Sequence, residues 1–342
     1  MHLLSSSRLS DFRTCPRLYY FRDVLGRHTI AVSAALAFGT LWHTVMELWW
    51  SGRDVGAYLT EQADKIDVTD AAKITALLKC YRAPREQFDV LAVEQEFSVK
   101  IESPDAGRTF YNYRLIGRLD LVLRKHGSET IWVCDHKTTS SEIIGFGPYW
   151  QGLQIDSQMG NYCLAIRALY GEESTGFIYD VVRKPGIRLC GTDEKQAALL
   201  GITSAEAYSL RCENEIRKSP ECTYQWREHP RVEADLLDAR RDLWQQVEMV
   251  RSCDNAGRYP RNCNSCSGRY GQCEYLDVCT GRASIQDDTL FRDKHEGAQN
   301  VMLETTGKPP ECNAPGGGPS GPPMNGESER VVGVVPSVVG DH

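Results

Sequence analysis

No run of about 18 apolar residues occurs anywhere in the 342-residue chain, so no stretch is long enough to span a bilayer as a helix. Residues 1–26 carry Arg and Asp throughout and have no continuous apolar segment, so no secretory signal is expected and the expected setting is the reducing cytoplasm. No internal repeat is visible. The G-x-x-x-x-G-K-[ST] phosphate loop is missing too, so any helicase motor working with this chain would sit on another one. Positive charge is also in deficit: 39 Lys and Arg against 46 Asp and Glu give a formal charge of −7. Bulk charge therefore does not point to nucleic acid, and attention moves to local patches. Arg8, Arg13, Arg17, Arg22 and Arg27 face only Asp11 and Asp23 in the first 27 residues. Arg251, Arg258, Arg261 and Arg269 form a second group. Either patch could bind phosphates or be ordinary solvated surface.

Cysteine is plentiful, with 13 residues, an odd number. In a reducing compartment, clustered cysteines suggest metal rather than disulfides. Cys263, Cys266, Cys273 and Cys279 crowd into one polar, glycine-containing stretch. That context does not suit buried thiols acting as small apolar groups, the role expected for Cys80, Cys134, Cys163, Cys190 and Cys212. Four-thiolate zinc and an iron–sulfur cluster share this ligand type, and the spacing does not choose between them. Cys15, far away in sequence, is a fifth candidate.

The chain is organised around Gly117-Arg-Leu-Asp120 and Asp135-His-Lys137. Two strands, roughly 113–124 and 130–138, flank a turn centred on Gly127-Ser128. That turn places Asp120 directly opposite Asp135, and Lys137 on the same face two residues on. Leu119, Leu121, Leu123, Trp132 and Cys134 would face a core, leaving the charged side displayed. Two close carboxylates repel and call for a cation; hard oxygen ligands suit Mg²⁺ or Mn²⁺. A nearby lysine can orient or deprotonate a metal-bound water or stabilise charge on phosphate.

Elsewhere, the pattern predicts a capped helix from Ser5 to a turn at Pro16, helical character over 17–24 and a well-buried helix over 31–50. That last helix carries His43 and Glu47 one turn apart. Further helices fall within 54–88, followed by a strand over 91–101 with Glu94 and Glu96. A helix over 149–170 carries Gln158 and Tyr162 on one face. A strand over 175–182 is expected to pair with 187–190, and helices are expected over 204–217 and 231–251. Tyr19, Tyr20, Tyr149 and Trp150 are available as base-stacking groups. From residue 296 onward, glycine and proline dominate around 314–323, a composition that cannot build a core.

In this order, the motifs resemble one family. Ser7–Tyr19 (Ser-x-Leu-x-x-Phe-x-x-Cys-Pro-x-x-Tyr), Phe38–His43, Gly117–Asp120, Asp135–Thr138, Gln158–Tyr162 and the cysteine run after Tyr259-Pro260 are similar to the iron–sulfur nucleases of the PD-(D/E)XK superfamily. That group includes the RecB-like exonucleases of CRISPR systems, the AddB nuclease domain and phage-borne relatives. The resemblance implies an α/β fold, restriction-endonuclease-like, with a mixed central β-sheet flanked by helices and with the N- and C-terminal segments joined by a metal cluster. It implies metal-dependent hydrolysis of DNA. His43, Asp120, Asp135 and the carbonyl of His136 would bind Mg²⁺ or Mn²⁺. Lys137 would position or activate water, Gln158 and Tyr162 would support it, and Glu96 would lie further out. It also implies a 4Fe–4S cluster on Cys15, Cys266, Cys273 and Cys279, with Cys263 spare; Cys263 in place of Cys266, or zinc on the four local cysteines, are the competing sets. The corresponding segments are 1–30 and 256–285 for the cluster, 31–255 for the nuclease core and 296–342 for the tail. DNA is the implied partner, with a helicase or recombination protein on another chain. A catalytically inactive DNA-binding or assembly subunit and a zinc-stapled structural protein are the alternatives.

Overall fold

Two long strands carry the centre of the molecule, and their length follows from β-rich, alternating sequence. In the computed structural model, which describes residues 1–30, 34–104, 107–171, 176–268 and 271–293, the first 14 elements run as follows. They are β1 (His2–Leu4), α1 (Ser6–Thr14), α2 (Pro16–Tyr19), β2 (Arg27–Thr29), α3 (Ala34–Trp50), α4 (Val55–Glu61), α5 (Val68–Cys80), β3 (Phe88–Glu102), β4 (Thr109–Lys125), β5 (Ile131–Thr139), α6 (Pro148–Gln154), α7 (Ser157–Tyr170), β6 (Gly176–Arg183) and α8 (Gly191–Leu200). Then come α9 (Ser204–Lys218), β7 (Tyr224–Pro230), α10 (Glu233–Ala256), β8 (Ser267–Gly268), β9 (Gly271–Gln272), α11 (Leu276–Cys279) and β10 (Phe291–Asp293). The tail over 296–342 lies outside the described residues. Among the described residues no helix is long and apolar enough to cross a membrane.

The main sheet is mixed. Its order is β1-β4-β5-β6-β7, with β3 also paired to β4. β1 runs parallel to β4 and β5 parallel to β6; the other pairs are antiparallel. β3 follows one edge of β4 from Thr109 to Lys125. The other edge is therefore shared, with β1 at Tyr113–Leu115 and β5 at Leu121–Arg124. The β4–β5 register, Leu121 with Cys134 and Val122 with Val133, is the one the Gly127-Ser128 turn predicts. Gly127 has φ 75°, a left-handed conformation that a glycine adopts without strain.

Both faces of the sheet are covered. One core joins Leu9 and Phe12 of α1, Met159, Cys163 and Ile166 of α7 and Leu236, Leu243 and Val247 of α10 to Val122, Val133, Phe177 and Tyr179. The opposite core joins Trp42, Val45 and Met46 of α3, Ile74 and Leu77 of α5 and Tyr208 and Cys212 of α9 to Leu121, Leu123, Trp132 and Cys134. Leu119 departs from the expected alternation and joins the first core. The charged hairpin face is likewise not displayed: Asp135 is 1% exposed, because α7 crosses it.

Three local expectations change. The helix expected over 149–170 breaks into α6 and α7, because the Asp156 side chain accepts from the Gln158 N–H and caps a new start. β6 pairs with β7, not with 187–190. Cys190 is exposed rather than buried, although Cys80, Cys134, Cys163 and Cys212 are buried.

Candidate functional site

β4 and β5 part company just beyond the Leu121–Cys134 pair, and the site forms in that opening. The N–H of His136 donates to Asp120 Oδ2 at 2.9 Å. Helices from both faces reach this point. α3 brings His43, whose Nδ1 lies 3.2 Å from Asp120 Oδ2. α7 brings Gln158, whose Oε1 accepts from Lys137 Nζ at 2.8 Å and whose Nε2 donates to Asp135 Oδ1 at 3.0 Å. The same Nε2 lies 2.9 Å from the hydroxyl of Tyr162. Lys137 Nζ is 2.6 Å from Asp135 Oδ2. The six side chains singled out by motif thus form two hydrogen-bonded groups, His43–Asp120 and Asp135–Lys137–Gln158–Tyr162, joined through the β5 backbone where the N–H of His136 donates to Asp120.

A seventh residue belongs with them. His43, Glu94 and Asp120 each offer a ligand atom, and these atoms lie within 4.8 Å of one another. Glu94 sits between the Val93–Leu121 and Gln95–Leu119 pairs, which places it across from Asp120. Its φ is 52°, the one positive value outside glycine among the described residues. Non-glycine residues held in that region cost on the order of 1–3 kcal/mol and concentrate at functional sites. Glu96, the carboxylate expected near the site, is instead exposed; it is the register partner of Arg118, whose guanidinium pairs with Glu94. The signal for Glu94 was no more than a second acidic residue on the same strand; its backbone conformation is invisible in sequence.

The side chain of His136 has its own partner. Its Nδ1 is 2.7 Å from Asp180 Oδ2, which also accepts from the hydroxyl of Tyr81. His136 and Asp180 are both buried. Asp180 was signalled only by being acidic within the apolar strand Gly176-Phe-Ile-Tyr-Asp180-Val-Val.

The electrostatics push the two central carboxylates apart. Burial would raise Asp120, but the hydrogen bond and charge of His43, with help from His136, hold it below the usual carboxylate range. Burial pushes Asp135 up, and Lys137 only partly offsets this while Asp120 adds to it. Burial disfavours charge on His43 and Lys137 as well. Asp120 outweighs it for His43 and Asp135 outweighs it for Lys137, so both are raised. One imidazole and two convergent carboxylates suit a hard divalent cation that keeps several waters, so the donor set fits Mg²⁺ or Mn²⁺.

The thiols gather at a second place. Cys15, Cys266, Cys273 and Cys279 line one pocket with Leu18, Phe21 and Tyr275. Cys263 is exposed and is not part of that lining. The backbone N–H of Asn262 points to Cys15 Sγ at 3.3 Å. Segments 14–17 and 260–265 meet here by direct bonds too: Arg17 N–H to Pro260 O at 3.1 Å and Ser265 Oγ to Thr14 O at 2.7 Å. The N-terminal arginines serve this junction. Arg17 donates to Tyr259 O, Arg22 pairs with Asp11 and Glu274, and Arg27 pairs with Asp288 and Asp293. Arg13 donates to Gln246, and Arg8 pairs with Asp23. This patch does not present a bare phosphate-binding surface. Arg269 lies outside the described residues.

The family pattern of the PD-(D/E)XK nuclease superfamily matches residues 3–280. The chain belongs to that superfamily. The Gly117–Asp120 and Asp135–Lys137 segments, which sequence suggested as its G-x-x-D and D/E-x-K motifs, lie within that match and meet across the β4–β5 opening. No curated protein matches the sequence. Among solved structures, a "Putative exonuclease" from Eubacterium rectale is 14% identical, with a TM-score of 0.45, covering 82% of this chain and 88% of that one.

Proposed function

We propose that the protein is a divalent-metal-dependent deoxyribonuclease of the RecB-like, iron–sulfur type, acting as an exonuclease on single-stranded or processed DNA ends in repair or recombination. The observation that carries the reading is the convergence of His43, Glu94 and Asp120 beside the Asp135–Lys137–Gln158 network. His43, Glu94, Asp120, Asp135 and the carbonyl of His136 would hold the cation. Bound there, Mg²⁺ or Mn²⁺ supplies a Lewis acid for the phosphate and lowers the pKa of a coordinated water.

The chain's own groups do the rest. With Asp135 beside it, Lys137 carries its proton at neutral pH in the metal-free chain, so it presents an ammonium donor toward the reacting phosphate. Gln158 holds both Lys137 and Asp135, fixing the donor's direction. Tyr162 anchors Gln158 in turn. The Asp180 carboxylate holds the His136 ring and with it the backbone that carries the carbonyl ligand.

The second site supports a 4Fe–4S cluster on Cys15, Cys266, Cys273 and Cys279. Among the described residues no three thiols lie within 4.8 Å of one another. Tetrahedral zinc with bonds of about 2.3 Å would draw thiolates to about 3.8 Å apart. A cubane spreads its four ligands around a larger body, and the four cysteines that line one pocket offer such a ligand set. Such a cluster would close the nuclease core by joining its two ends.

The test is a cleavage assay on anaerobically purified protein, with end-labelled single-stranded and duplex DNA, in Mn²⁺ or chelator. Metal-dependent release of label is expected, and its pattern reports polarity. A folded, metal-loaded protein that binds DNA without cutting it would instead be an assembly subunit.

A further inference from the structure

Asp135, Tyr179 and Arg227 form one row across the sheet. Asp135 is the register partner of Tyr179, and Tyr179 is the register partner of Arg227. Directly paired residues share a face, and neighbouring strands are about 4.8 Å apart. The backbone of Arg227 is therefore about 10 Å from that of Asp135, on the same side of the sheet.

Arg227 organises the loop 140–147, which leaves the end of β5 two residues after Lys137. Its guanidinium lies 3.8 Å from the ring centroid of Trp150 and 5.6 Å from that of Phe146. It donates to Gly145 O at 2.7 Å. Trp150 Nε1 donates to Ile143 O at 2.7 Å, tying the loop to α6. Gly145 has φ 64°, a left-handed turn just before Phe146. The far side of the loop returns through α6 and α7 to Gln158 and Lys137. The loop thus begins two residues after Lys137 and is tied at its other end to α6 and to Arg227.

The outcome is an aromatic ring held in place yet open to solvent. Phe146 is 62% exposed, while Trp150 is 1% exposed and Tyr19 is 5%. Two of the four aromatics that sequence offers for base stacking are therefore inside the core, and Tyr20 is stacked on Tyr259. Aromatic side chains beside a nuclease site bind unpaired bases because every base has a π-face, at about 1–3 kcal/mol per base. A base inside a duplex already has its stacking partners. Resting on the nuclease reading above, we propose that Phe146, backed by Arg227, is the stacking platform for an unpaired nucleobase of the strand whose backbone lies at the His43–Glu94–Asp120 site. The platform favours single-stranded or frayed ends over intact duplex.

The experiment places 2-aminopurine at successive positions near either end of a single-stranded oligonucleotide. Binding is measured in Mn²⁺ with the full-length Lys137→Ala protein, so that the strand stays intact. One position should show quenched fluorescence. Adding Phe146→Ala should abolish the quenching and weaken binding about tenfold, and Phe146→Trp should keep both. Replacing the base at that position by an abasic site should cost a similar factor, and the two losses should not add. Cleavage by the otherwise wild-type protein combined with unchanged quenching and affinity in Phe146→Ala would overturn the platform and leave the nuclease reading standing. A wild-type protein that neither binds nor cleaves DNA would overturn the nuclease reading and the platform with it.

Discussion

A carboxylate oxygen of Glu94 lies within 4.8 Å of one on Asp120, across the β3–β4 ladder, with His43 within the same distance of both. The ladder pairs on either side of Glu94, Val93–Leu121 and Gln95–Leu119, hold its backbone at φ 52°. That strain is sustained by long-range pairing rather than by local preference.

Glu94→Gln should weaken Mn²⁺ binding at least about tenfold, because a neutral amide replaces one of three charged oxygen ligands. Glu96→Gln should leave it unchanged. Isothermal titration of the two variants beside the wild type checks this. Equal losses would return Glu96 to the site.

Lys137→Ala should reduce cleavage by at least about a hundredfold while the melting temperature and DNA affinity change little. The loss removes the ammonium that Asp135 and Gln158 hold in place. Single-turnover assays separate the chemical step from binding, and retained turnover would remove Lys137 from the mechanism.

Cys279→Ala should lose iron and acid-labile sulfide together and lower the melting temperature by at least about 5 °C, because ligand binding is coupled to folding. Cys263→Ala should keep both, since that thiol lies outside the pocket lining. Metal analysis that finds zinc alone would favour the four local cysteines.

Gly117→Ala should destabilise the protein by about 1–3 kcal/mol. A Cβ there would fall 2.8 Å from two atoms of the Phe97 ring and 3.6 Å from Tyr162. Phe97 is buried, so its ring must shift within packed surroundings. Urea unfolding measures the loss, and an unchanged midpoint would show that the ring has room to move.

Asp193 is held at about 2 by the hydrogen bonds of Arg211, with the Cys190 N–H helping, despite the opposing effect of burial. Its folded value lies below the ordinary value of about 3.9, so its stabilisation is present above that pH and is lost as pH falls toward 2. Asp193→Asn should cost about 1–2 kcal/mol at pH ~7, and the gap to wild type should narrow between pH ~4 and ~2. Urea midpoints across that range provide the check.

Sequence by itself determined the hairpin and its register. The Gly127-Ser128 turn sets which residues face each other, and period-two alternation puts Asp135 and Lys137 on one side. Helix starts were legible for the same local reason where a capping residue stood out, as at Ser5, whose side chain accepts from the Arg8 N–H. Spacing also marked Gln158 and Tyr162 as one helical face.

Tertiary structure alone decided what depends on distant elements meeting. α7 buries the charged face of the hairpin. His43 reaches Asp120 only because α3 passes the opening between β4 and β5, and Glu94 rather than Glu96 joins them. The N-terminal arginines turn out to pair with one another's segment and with residues between 246 and 293, and the exposed ring on the loop after β5 is Phe146, whereas Trp150 is buried. Local spacing fixes relations over a few residues because backbone geometry repeats. Convergence across tens or hundreds of residues is set by how helices and strands pack, and no periodicity in the sequence encodes that.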